Sequence, residues 1–301
     1  MAVKNGKIRV QNVEIAGKRK SINEFLTYNM SKPEIFGVLA LVYIIGFLLY
    51  IGNYTIGLYH LNPFIRLKPL SSEEKLLLIE NFPVYEVLPQ KLREKCDQRI
   101  VWFRCRKKFV FYGKVVKKDE LKLLLSASVI LMTLGLRDYK MTRSLLRIVV
   151  YPSKYYSRIN RRHHLGEYNP GFKTVIFSAD TIWEGFRIGD DNVNLALHEF
   201  AHALTFEMTR KSSWEARKFR VGLKKIKVLF LREGYAQKLA DSQYFREYGL
   251  TNLQEFFSVA VENYAETPEV FSTDFPELYG IIQRMLNFDF QLVPDNINLV
   301  R

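Results

Sequence analysis

The chain is poor in cysteine, histidine, glycine and proline. Its 301 residues include two cysteines, five histidines, 16 glycines and 10 prolines. Two cysteines without a Cys-x-x-Cys pair exclude a disulfide framework and a cysteine-based metal site. Cys96 and Cys105 share a stretch of helical periodicity, residues 88–109. Nine helical residues rise about 13 Å, well past the Cα separation of about 7 Å that a disulfide tolerates. Both are therefore expected to be unpaired, buried apolar positions. No low-complexity tract and no internal repeat is present, which excludes solenoid and fibrous architectures.

Acids are also in short supply. The chain has 31 Asp and Glu against 45 Lys and Arg, a net charge of +14. The bases lie in small clusters such as Arg104-Cys105-Arg106-Lys107-Lys108 and Lys224-Lys225-Ile226-Lys227. No nucleic-acid-reading motif accompanies them, so no nucleic-acid partner is expected. Clusters of this kind are solvated helix faces or membrane-proximal surface, with a pull toward anionic lipid.

Residues 35–51 carry no charge at all, and uncharged residues continue to Tyr59. About 20 apolar residues cross a bilayer, and tyrosines near the end of the run suit an aromatic belt. The run has no polar stripe, as a buried core helix would. It also starts late for a cleaved signal peptide. The expected organisation is a basic tail (1–34), a single transmembrane anchor (35–59) and a soluble domain (60–301). Lys4, Lys7, Arg9, Lys18, Arg19, Lys20 and Lys32 precede the run, and only Arg66 and Lys68 follow it closely. The positive-inside bias then puts the N-terminus in the cytoplasm and the large domain outside.

The soluble part reads as one α+β domain. Ser71-Ser72-Glu73-Glu74 opens a short helix. Further helices are expected over 91–109, 119–134, 217–239, 252–264 and 276–288. Strands are expected over 147–151 and 173–178, the second after a Pro-Gly turn.

Between that second strand and the helix at 217 lies His198-Glu199-Phe200-Ala201-His202, within an apolar segment. On a helix, residues four apart stack on one face. Two imidazoles so placed can bind one tetrahedral Zn²⁺, and the intervening Glu199 is set to take a proton from metal-bound water. Asp190, Asp191 or Asn192 is positioned to cap this helix, which should run to about Met208. A catalytic site needs a third protein ligand. Glu215 and Glu233 flank the spacing of about twenty residues common in such enzymes, and neither is well placed. Glu255 and Glu262 lie further on, nearly on one face of an apolar helix. A buried carboxylate calls for a partner: a metal for Glu255, or a capping-box role behind Asn252. For Glu262 it is a hydrogen bond to a ligand histidine, or ligation itself. Tyr235 and Tyr244 are alternative oxyanion donors that otherwise read as packing residues. Trp183 and Trp214 read as core or loop anchors, and Arg161-Arg162-His163-His164 as a solvated loop.

Several blocks together resemble a known family. His-Glu-Phe-Ala-His is followed by Tyr248, seven residues before the glutamate of Glu255-Phe256-Phe257-Ser258-Val259-Ala260-Val261-Glu262. Thr267-Pro268-Glu269-Val270-Phe271 and Phe275-Pro276-Glu277-Leu278-Tyr279 come next, and Phe82-Pro83-Val84-Tyr85, Val149-Val150-Tyr151-Pro152 and Gly166-Glu167 lie upstream. In order and spacing, over residues 70–290, these resemble the MtfA (Mlc titration factor A) zinc peptidases.

That resemblance implies a zincin-like metallopeptidase domain, similar to the catalytic domain of anthrax lethal factor. It places the ligand glutamate at Glu255 and a metal-proximal tyrosine at Tyr248. It also implies peptide or protein substrates, with aminopeptidase-type activity on small ones. The founding member is cytosolic and binds a transcriptional repressor, a partner that an outward-facing domain would not meet. The chain departs from the family at Leu204-Thr205 and at Met208-Thr209-Arg210-Lys211, so substrate contacts there are not carried over. The expected function is a membrane-anchored zinc peptidase, with peptide substrates and membrane lipid as partners. The alternative is a non-catalytic or partner-regulated zinc-binding protein tethered to the membrane. The strand around Val175 is expected to add an extended substrate to the sheet.

Overall fold

The computed structural model describes residues 32–56, 67–157 and 161–291. The chain divides into two compact units, Met1–Tyr59 and His60–Arg301. Within the first, helix α1 (Lys32–Ile56) contains a stretch, Pro33–Gly52, of mean hydropathy 2.5. None of that stretch is buried within the protein, and it is long and apolar enough to cross a membrane. The other two charge-based readings, of the tail before residue 32 and of Arg66, fall outside the described residues.

The second unit is helix-rich with a small sheet. Its first helix, α2 (Ser72–Asn81), starts on a capping box: Glu74 N–H donates to Ser71 Oγ (3.1 Å) and Ser71 N–H to Glu74 Oε2 (2.8 Å). Such a cap contributes about 1 kcal/mol. A short α3 (Pro83–Val87) leads to α4 (Gln90–Arg106), which carries both cysteines, each free. Cys96 is buried and Cys105 half-buried.

The sequence placed residues 91–109 in one helix. The chain instead leaves the helix at Lys107, whose side chain is buried and donates to the carbonyls of Lys140, Met141 and Leu145. Strand β1 (Lys108–Phe111) follows. Its β-branched and aromatic residues gain more from ladder pairing than from another helical turn.

Helix α5 (Lys118–Met132) is the central slab of the core, buried on every side from Leu123 to Met132. Strands β2 (Arg147–Tyr151), β5 (Gly166–Asn169) and β6 (Thr174–Ser178) complete the main sheet with β1, in the order β1-β2-β6-β5. The first three run parallel, and β5 lies antiparallel on β6 with Tyr168 opposite Val175. Strands β3 (Tyr155–Ser157) and β4 (Arg162–His164) form a separate ribbon.

The strand at Val175 is therefore interior, hydrogen-bonded on both sides. It has no edge to offer a substrate, and that expectation is overturned. Among the described residues the outermost strand on that side is β5, too short and too polar to signal itself by alternation. Likewise, Arg162-His163-His164 is largely exposed ribbon strand rather than loop, and only Arg161 lies in the turn before it.

Helix α6 (Ala179–Arg187) leads to α7 (Leu195–Thr209), the helix of the His-Glu-Phe-Ala-His block. Asn194, not Asp190, Asp191 or Asn192, caps it, accepting from Leu197 N–H at 3.1 Å. Phe200, fully buried, fixes α7 on strand β6 through an edge-on contact with Phe177 (5.4 Å between centroids) and on α4 through Phe103 (6.5 Å). This seats the opposite face of α7 toward α10.

Helix α8 (Trp214–Leu231) ends earlier than periodicity suggested, because Gly234 turns the chain in the left-handed region at φ +71° before α9 (Tyr235–Asp241). A 3₁₀ turn (Glu247–Thr251) precedes α10 (Leu253–Glu266), and α11 (Pro268–Asp274) and α12 (Pro276–Leu286) close the unit. Among the described residues the core runs from Leu70 to Phe290.

Candidate metal centre

Helix α7 brings His198 and His202 to one side, one turn apart. Asn252 caps α10, its Oδ1 accepting from the N–H groups of Gln254 and Glu255 (3.0 Å each). That leaves the Glu255 carboxylate free of capping duty. It reaches across instead to the two imidazoles.

The three inward atoms form a nearly equilateral triangle. His198 Nε2 and His202 Nε2 are 3.2 Å apart, and Glu255 Oε2 lies 3.1 Å from the first and 3.3 Å from the second. Tetrahedral bonds of 2.0–2.1 Å require ligand atoms roughly 3.3–3.4 Å apart. The triangle thus fits one small cation with a fourth corner to spare, and the donor set of two nitrogens and one oxygen is the kind zinc takes. Among the described residues it is the one group of its kind.

Helix α10 also holds the far sides of both rings. His198 Nδ1–H donates to Glu262 Oε1 at 2.8 Å, and His202 Nδ1 shares a hydrogen bond with Ser258 Oγ at 3.3 Å. The Glu262 carboxylate only accepts, so it holds the proton on His198 Nδ1 and turns Nε2 toward the vertex. Residues 255, 258 and 262 recur at helical spacing, and one face of α10 supplies all three contacts. Glu262, fully buried, also accepts from Asn194 N–H (2.6 Å) and pairs with Arg246. Arg246 escaped the sequence reading, since an isolated arginine carries no periodic signal.

Charges in this cluster are mutually adjusted. Burial works against a charged His198, but the carboxylates of Glu255 and Glu262 outweigh it and raise its pKa to about 9. Burial likewise works against a charged Glu255, and hydrogen bonds to His198 and His202 hold it well below the usual carboxylate range.

Glu199 sits on the same helix, buried, against the edge strand β5. Its pKa is pushed up to about 6, by burial first, with both histidines pulling the other way. The Tyr168 N–H of β5 hydrogen-bonds to it. Strand β5 approaches this closely because residue 166 is glycine: a Cβ there would lie 2.9 Å from Glu199 Oε1. Tyr248 stands over the cluster, its ring centroid 6.3 Å from that of His198. Burial, then Glu255, raises the pKa of its half-exposed hydroxyl. The charge of Arg162 on β4 works the other way.

The remaining sequence candidates lie elsewhere. Glu215 accepts from Arg137 N–H, and Glu233 is exposed. Tyr244 hydroxyl binds Thr267, and Tyr235 packs on the core. Trp183 packs on the core too, but Trp214, expected as an anchor, is exposed on the first turn of α8.

Two imidazoles and a carboxylate around one small vertex, with a second buried carboxylate alongside, define the class of metal-dependent hydrolases. Comparison with known proteins makes the assignment more specific. The chain belongs to the glucose-regulated metallopeptidase family M90, whose model matches residues 60–286. It is 23% identical over 261 residues to an uncharacterized protein of Synechocystis sp., covering 82% of this chain and 94% of that one.

Proposed function

We propose that the chain is a membrane-anchored zinc peptidase of zincin-like fold, with His198, His202 and Glu255 as metal ligands. The observation that carries this is the triangle of about 3.2 Å sides, built from two distant helices. When bound, the metal polarises the scissile carbonyl and brings the pKa of a water toward about 7. Glu199, with a pKa of about 6, takes the proton of the attacking water and passes it to the leaving amine. Tyr248 keeps its proton at neutral pH and donates a hydrogen bond to the developing oxyanion.

An extended substrate adds to the outer edge of β5, whose inner edge is paired with β6. That places its backbone beside Glu199. The apolar stretch Pro33–Gly52 spans the bilayer, and the excess of bases before it favours a cytoplasmic N-terminus and an outward domain. Peptide or protein substrates follow from the family. Release of N-terminal residues, as opposed to internal cleavage, is the narrower form of the proposal.

The test is Glu199→Gln in the full chain. Metal content should stay at one zinc per chain while peptide hydrolysis falls by about 10²–10⁴-fold. Full activity in that variant removes the general-base role, and loss of both metal and activity makes Glu199 structural.

A further inference from the structure

Helix α8 has two faces. Ala216, Phe219, Ile226 and Leu229 face the core, and Gly222 lies against Met285, where a Cβ would come within 2.1 Å of its Cγ. The other face is open and unusually apolar. Trp214 is 69% exposed, Val221 51%, Val228 63% and Leu231 76%. Spacings of seven, seven and three residues keep these four on one side of a helix. Single exposed apolar residues need no explanation, but a row of them does.

Cations surround the row. Arg217, Lys218, Lys224, Lys225 and Lys227 are all exposed. Lys218 Nζ lies 5.8 Å from the centre of the Trp214 ring. Glu215, the sole acid of the helix, is turned away to the backbone N–H of Arg137. The open face therefore carries five positive charges and no negative one.

We propose that this face docks on an anionic phospholipid surface. A nucleic acid would satisfy the cations but gain nothing from Val221, Val228 and Leu231. A bilayer satisfies both: headgroup phosphates take the lysines, and the tryptophan and aliphatic side chains enter the boundary with the acyl chains. The net charge of +14 adds long-range attraction. The inference goes beyond the peptidase assignment. It stands on α8 alone, whether or not Pro33–Gly52 spans the membrane.

The experiment uses the full chain reconstituted in vesicles of dibrominated lipid, either phosphatidylglycerol or phosphatidylcholine. Bromine quenches tryptophan only at close range, and Trp214→Phe identifies the share due to Trp214. Quenching of Trp214 is expected in phosphatidylglycerol and not in phosphatidylcholine. It should disappear at about 0.5 M salt, where screening is nearly complete within a few Å. It should also disappear in Lys218→Glu/Lys225→Glu, whose peptidase activity on a soluble peptide should be unchanged. Equal quenching in both lipids, or none in either, overturns the proposal; the second result leaves a protein as the occupant.

Alkaline extraction reports separately on the span. If the chain washes off the vesicles, brominated vesicles added to the extracted protein still read the α8 contact.

Discussion

Glu262 Oε1 accepts the Nδ1–H of His198 at 2.8 Å across 64 residues of sequence, from a position with no solvent exposure. The same carboxylate binds Asn194 N–H, which starts the histidine helix, and Arg246. One buried carboxylate thus orients His198 and anchors the helix that carries it. Glu262→Gln keeps the volume but loses the charge. Metal affinity should fall about 10–100-fold, read by competition with a chelator. Glu262→Ala strands the buried His198 and Asn194 N–H and the half-exposed Arg246, and should cost about 3 kcal/mol in urea unfolding.

Glu255→Ala removes one corner of the triangle and should lower metal content after dialysis more than Ser258→Ala does. Ser258 touches only the far side of His202. Removing the metal from the unaltered chain should lower stability. A ligand present at about 100 times its Kd adds about 2.7 kcal/mol, so the melting temperature should drop on chelation and recover with added zinc.

Gly166→Ala tests the contact between the edge strand and the base. The new methyl meets Leu195 as well as Glu199, so the carboxylate must shift. A displacement near 1 Å costs about 10²-fold in rate. Turnover should fall by that order with metal content unchanged. A variant that loses metal instead would show that the shift reaches His198.

Glu266 gives a pH signature apart from the metal. Burial, then the charges of Asp191 and Glu262, raise its pKa from 4.5 to about 7, against hydrogen bonds from Asn194 and the Asn192 backbone. The folded protein therefore binds more protons than the unfolded chain between these values. Its contribution is fully present below pH 4.5 and is lost as pH rises through about 7. Glu266→Gln should remove that slope. It should make the protein more stable than the parent at pH 8 by about 2–3 kcal/mol, measured by urea unfolding at pH 5 and pH 8.

The sequence spoke most clearly where a single helix carries the information. The four-residue spacing of His198 and His202 is a local property, as is the Ser71–Glu74 cap. Asn252 and Glu255 allowed two readings, because a capping box and a metal ligand need the same residue at the same spacing. Only the crossing of α10 over α7 separates them. Strands β1 and β5 went unseen for a different reason. Four residues give too short a run for alternation to register, and Gly166-Glu167-Tyr168-Asn169 is half-buried throughout. The interior place of Val175 is set by pairing partners on both sides, which no local pattern reveals. Trp214 was misplaced because a large aromatic residue suggests burial, whereas here the inner face of α8 is already filled by Phe219 and Ile226.

The histidines stand on α7 and their carboxylate on α10, with all of α8 and α9 between them in the chain. A ribosome must finish most of the domain before the last of these groups emerges. Until then the nascent polypeptide holds two imidazoles and no vertex, so the three-cornered group forms only after α10 has emerged and packed on α7.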